Sequence, residues 1–193
     1  MKNKPIVVNM FAGPGAGKST CSAAVFSLLK MHDVNAELIT EFAKDLTWEK
    51  RLRTLDNQYY IWGKQHHKMW RVKDQVEVMI TDSPLILGLI YGGPRPDCFN
   101  ETIIESFKNE FDNINYFLIR LKKFNPKGRN QTEEESLNLD KEILHMLIDN
   151  DVKYEIMPGS YEGINNITKQ ILKRLGKEMK IYLKDGWELI NGD

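Results

Sequence analysis

Ile6-Val7-Val8-Asn9-Met10-Phe11 runs directly into Ala12-Gly13-Pro14-Gly15-Ala16-Gly17-Lys18-Ser19-Thr20. The first run reads as a buried strand, the second as a glycine-rich turn, and a helical pattern follows it. Together they form a P-loop, with Ala12 in the place of the usual first glycine. Gly13, Gly15 and Gly17 lack a Cβ, so the chain can curl and aim successive N–H groups inward. With Pro14, Ala16 and Thr20 they build a cradle for phosphate oxygens at a helix N-terminus. Lys18 is expected to reach the β- and γ-phosphates, and the Ser19 hydroxyl to ligate Mg²⁺. The passage therefore implies ATP, or another nucleoside triphosphate, with Mg²⁺ as cofactors.

Outward from this loop, strands and helices alternate, which predicts βαβ units and a parallel sheet. Strands are expected at 5–11, 36–40, 76–81, 115–121 and 153–157. Helices are expected at 18–32, 42–48, 50–71, 83–91, 100–111, 133–150 and 163–175. Ser83-Pro84 reads as an N-cap with proline in the first helical position. Residues 1–176 form the expected main domain. The last residues, 177–193, read as a hairpin extension of it, because Asp185-Gly186 separates two β-rich runs.

The chain has 193 residues and a formal net charge of zero. That size suits one core, and the neutral charge argues against broad duplex nucleic-acid binding, which needs a basic face. The two cysteines, Cys21 and Cys98, lack metal-ligand spacing. Cys21 reads as a small buried packing residue on the first helix. No apolar run reaches membrane-span length and no signal-peptide pattern opens the chain, so the expected location is the cytoplasm. The oligomeric state is left open.

Ligands of an open parallel sheet bind beyond the carboxyl ends of its strands. Three charged residues fall there besides the P-loop. Glu41 follows the second strand and is a general-base candidate for a hydroxyl. Asp82 follows the third and is a Walker B-like acid for Mg²⁺. The two can also exchange roles, with Asp82 as base and Glu41 holding substrate. Arg120 ends the fourth strand, ahead of the basic stretch Lys122, Lys123, Lys127 and Arg129. A guanidinium from such a stretch, Arg129 in particular, can meet charge that develops during phosphoryl transfer. Lys44 lies one turn past Glu41. Gln58, Trp62 and Gln65 share a helix face that suits reading and stacking a base, or packing into the core.

The segments Glu41-Phe42-Ala43-Lys44-Asp45, Gln58 with Gln65, and Val78-Met79-Ile80-Thr81-Asp82-Ser83-Pro84 resemble those of small P-loop kinases. The nearest groups are NadR-type ribosylnicotinamide kinases and phage P-loop kinases, some of which phosphorylate 5-hydroxymethyluracil in DNA. Phe11 to Thr20 is similar to the phage members in particular. The resemblance spans about residues 5–175. It implies an adenylate kinase-like α/β three-layer sandwich of the P-loop NTPase class, with strand order 2-3-1-4-5. It also implies Glu41 as base, Asp82 as metal acid and Arg129 as a lid arginine. The acceptor would be a nucleoside, a nucleotide or a modified base in DNA. Two other readings exist: an NTPase switch acting on a partner, and a nucleic-acid module with a vestigial P-loop. The sequence has no evident N-K-x-D motif for guanine, and Gly17-Lys18-Ser19-Thr20 is intact.

Overall fold

A computed structural model describes residues 4–92, 95–121, 132–183 and 186–189. Its centre is β1 (Ile6–Phe11), buried along its whole length. β1 pairs in parallel with β3 (Val78–Thr81) on one side and β4 (Asp112–Ile119) on the other. β2 (Ala36–Ile39) adds to β3, and β5 (Glu155–Pro158) adds to β4. The order β2-β3-β1-β4-β5 is the expected one.

The runs of branched and apolar residues follow from burial on both faces, as parallel strands between helices require. Ile6, Val8, Met10, Val78 and Ile80 pack with Val25 and Leu29 of α1 (Lys18–Met31) and Ile167 and Ile171 of α7 (Tyr161–Arg174). Val7, Phe11, Met79 and Phe117 face the opposite layer. That layer holds Met69 of α4 (Gln58–Trp70), Phe107 of α5 (Asp97–Glu110) and Ile143 of α6 (Glu133–Asp149). Cys21 is buried in the first layer, as expected of a packing residue. One polar chain crosses the sheet. The Asn9 amide donates to Asn113 Oδ1 at 2.8 Å and Asn115 Oδ1 at 2.9 Å, and Asn115 Nδ2 donates to Lys153 O at 2.9 Å. These pairings favour the observed register, because a slip would strand buried amides without partners.

Two helices differ from expectation. α2 (Phe42–Trp48) stands where expected, but the stretch 50–71 is not continuous: the single turn α3 (Leu52–Leu55) precedes α4. Lys50 has φ +57°, a left-handed conformation that ends α2's run, and Asn57 Oδ1 accepts from Tyr60 N to start α4 anew. After β3, Pro84 is extended (ψ 139°) rather than helical, and Leu85–Leu89 form a short 3₁₀ helix. Leu85, Ile86 and Leu87 are all buried, so this segment has no polar face for a surface helix to present. The expected C-terminal hairpin is present as β6 (Lys180–Leu183) and β7 (Gly186–Leu189), an antiparallel pair separate from the main sheet. Among the described residues, no helix is long and apolar enough to cross a membrane.

Candidate functional site

The site lies where strand register puts it. Ile39 pairs with Thr81, so Glu41 and Asp82 leave neighbouring strands at the same sheet edge as the loop after β1. Thr81 shapes the exit: its hydroxyl donates to Ile39 O at 2.9 Å and accepts from Ser83 N at 3.0 Å. Gly17, at φ +100°, takes the left-handed turn that starts α1, a conformation costly for any residue with a Cβ.

Lys18 Nζ donates to Ala12 O at 2.6 Å and Gly13 O at 3.1 Å. Burial holds its ammonium below the ordinary lysine range, opposed by the charges of Glu41, Asp82 and Asp140. Burial also raises the Glu41 carboxyl above the ordinary range. Lys18 pulls it back down, and Asp82 adds to the upward push. Asp82 is only 6% exposed, and its Oδ1 is buried with no hydrogen-bond partner. A buried carboxylate oxygen left bare is costly. That oxygen, with the Ser19 hydroxyl beside the loop, fits a divalent cation whose remaining ligands are phosphate oxygens and water, as is usual for Mg²⁺. No cluster of three acidic, histidine or cysteine side chains suited to a metal occurs among the described residues.

These groups open onto one cavity of about 530 Å³. Pro14, Gly15, Gly17, Lys18, Ser19 and Thr20 line one end. Glu41, Lys44 and Asp82 lie along it, and Gln58, Trp62, Gln65 and Tyr91 line the other end. Trp62 is fixed by Nε1 donating to Leu85 O at 3.2 Å and by stacking on His66, with centroids 5.2 Å apart. Gln58 Nε2 donates to Leu55 O at 2.6 Å, and Gln65 Oε1 accepts from Phe42 N at 3.0 Å. The α4 face thus forms a cavity wall while its other side packs inward.

Arg120 is tied to the P-loop and does not line the cavity. Its Nη1 donates to Pro14 O at 2.7 Å, and its Nη2 to Ser136 Oγ at 2.7 Å and Asp140 Oδ2 at 3.0 Å. Ser136 Oγ also donates to Pro14 O at 2.5 Å, and Asp140 Oδ1 accepts from Gly13 N. α6 therefore braces the phosphate loop. A Cβ on Gly13 would collide with the Ser136 backbone, so this close approach needs glycine. The sequence reading missed Ser136, Asp140 and Tyr91. Ser136 and Asp140 stand one helical turn apart, a spacing any surface helix shows. Asp140→Ala is expected to cost about 3 kcal/mol in urea unfolding, because it leaves a largely buried guanidinium without its counter-charge and the Gly13 N–H without its acceptor. Arg129 and the basic stretch from Lys122 lie outside the described residues.

No protein-family model matches the chain, and no curated protein matches its sequence. Among solved structures, that of NadR protein in complex with NR superposes with a TM-score of 0.65 at 12% identity. The match covers 93% of this chain and 54% of the NadR chain, so this chain spans about half the length of that protein. The two chains share the fold, an α/β layering around a five-stranded parallel sheet in the order β2-β3-β1-β4-β5. At this identity the likeness speaks to architecture, and the chemistry has to be argued from the residues.

Proposed function

We propose that this chain is an ATP- and Mg²⁺-dependent kinase that transfers the γ-phosphate to a hydroxyl of a nucleoside, a nucleotide or a hydroxymethylated base. The observation that carries this reading is a continuous cavity running from the P-loop, past Glu41 and Asp82, to the amide and aromatic wall of α4. One end suits a triphosphate and the other a flat polar ring, with a carboxylate between them. Glu41 is the better base, because its carboxyl is raised toward the range where it can accept a proton. In the transfer, the Glu41 carboxylate takes the hydroxyl proton, the acceptor oxygen bonds to the γ-phosphorus, and the bond to the β-phosphate oxygen breaks to release ADP. Lys18 faces the charge that passes to the leaving oxygen. Ser19 and Asp82 would hold Mg²⁺, which neutralises phosphate charge when bound. Arg120 acts on the nucleotide through the loop it grips. Lys44, exposed at the cavity edge, suits an anionic group on the acceptor.

Within this acceptor class, nicotinamide riboside fits the NR of the NadR structure, and 5-hydroxymethyluracil in DNA fits the phage-like wording of Phe11 to Thr20. Residues 1–176 form the catalytic domain in this reading, with 177–193 its extension and the cytoplasm its place of action. The test is γ-labelled ATP with Mg²⁺ and an acceptor panel of nucleosides, nucleoside monophosphates, nicotinamide riboside, and DNA with and without 5-hydroxymethyluracil. Label on one acceptor names the substrate. Label released only as free phosphate would contradict the proposal and favour a hydrolytic switch. Arg129→Ala is expected to lower kcat more than it raises the KM for ATP. A change in KM alone would make Arg129 a ground-state ligand.

A further inference from the structure

Glu41 precedes the first residue of α2, in the position where a carboxylate usually accepts from the helix's free N–H groups. It makes no such bond. The N–H of Phe42, the first residue of that helix, donates to Gln65 Oε1 from α4 at 3.0 Å. On the other side of Glu41, Lys68 Nζ donates to Thr40 O at 3.1 Å and lies 3.4 Å from Thr40 Oγ1 and 3.3 Å from Asp45 Oδ2. Gln65 and Lys68 are three residues apart on one helix, so they share a face. They hold the backbone immediately after and immediately before residue 41. The same helix carries Trp62 on the cavity wall, fixed to Leu85 O.

We infer that Gln65 and Lys68 are positioning residues for Glu41: together they clamp the peptide units on both sides of it, so that its uncapped carboxylate is held facing the cleft. This rests on the reading of Glu41 as general base. Lys68 touches nothing in the phosphate loop, and Gln65 is 5% exposed, with Oε1 spent on the backbone. Neither needs to touch the reacting atoms to act. A catalytic carboxylate displaced by about 1 Å can lose on the order of 10²-fold in rate, so a loosened clamp is felt in kcat and not in ATP binding.

The test pairs a double-mutant cycle with amide exchange. Gln65→Met keeps the side-chain volume and removes the acceptor. Lys68→Met keeps the stem and removes the charge at a partly exposed position where folding is safe. Each is expected to lower kcat by about 10-fold with the KM for ATP within about twofold. In a Glu41→Gln background each should cost less than about twofold more, because the group being positioned is gone. Amide exchange over residues 40–46 should quicken by at least about 10-fold in either variant, with exchange in the P-loop unchanged. Equal losses of kcat in both backgrounds, or unchanged exchange around residue 41, would overturn the clamp. Wild-type kcat in Glu41→Gln alone would instead overturn the general-base reading, and it comes from a different corner of the same cycle. The exchange readout needs no acceptor.

Discussion

Lys18→Ala is expected to lower phosphoryl transfer by at least about 10³-fold, with the fold intact. The Lys18 ammonium sits over the carbonyls of Ala12 and Gly13, at a cleft that Glu41 and Asp82 also line. With the cation removed, the two carboxylates of Glu41 and Asp82 leave that cleft anionic. A triphosphate entering it would then meet repulsion in place of attraction. Removing a single preorganised donor from a transition state already costs about 10²–10³-fold, and here a full charge is lost as well. Stability should change far less. Burial already disfavours the charged form of the ammonium, so its loss relieves a desolvation cost. The check is kcat/KM beside urea unfolding for the same preparation. Transfer within tenfold of wild type in a folded Lys18→Ala protein would remove the P-loop from the chemistry.

Glu41→Gln is expected to leave ATP affinity within a few-fold and to lower kcat by at least about 10²-fold, the contribution of a positioned base. The pH profile makes the same claim separately. A base must be ionised to act. The Glu41 carboxyl is raised by burial, with Asp82 and Asp45 pushing it further up and Lys18 and Lys44 pulling it down. As pH falls through that raised value, Glu41 takes up a proton and kcat drops. The acid limb of wild-type kcat should therefore lie above the ordinary glutamate range, and Glu41→Gln should lose that limb. A limb that survives the substitution would assign it to another group, Asp82 first.

The site was legible to the extent that it depends on local sequence and strand ends. The P-loop is contiguous, so its residue types declare it. Glu41 and Asp82 could be placed because a charged residue after a short apolar strand must emerge at the carboxyl edge of a parallel sheet. The fold followed from the alternation of buried runs and amphipathic helices. What stayed hidden is carried by long-range contacts. The bonds from α6 to the P-loop join residues more than 100 positions apart, and Ser136 and Asp140 look like ordinary helix-surface residues in the sequence. The break in 50–71 turns on the Asn57 cap that starts α4 anew, which a helical tally of aromatics and amides overlooks. Pro84 followed an N-cap candidate yet stayed extended, because the three residues after it are buried together. Gln65 was legible as a cavity residue, but its hold on the Phe42 N–H was not.

The most direct test of the account is the stoichiometry of ATP consumption. Wild-type protein is incubated with Mg²⁺ and γ-labelled ATP, with and without the pooled acceptors, and ADP, labelled acceptor and free phosphate are measured together. The account predicts ADP formation that depends on acceptor, with one labelled acceptor for each ADP. ADP formed at the same rate without acceptor, with all label in free phosphate, would contradict it.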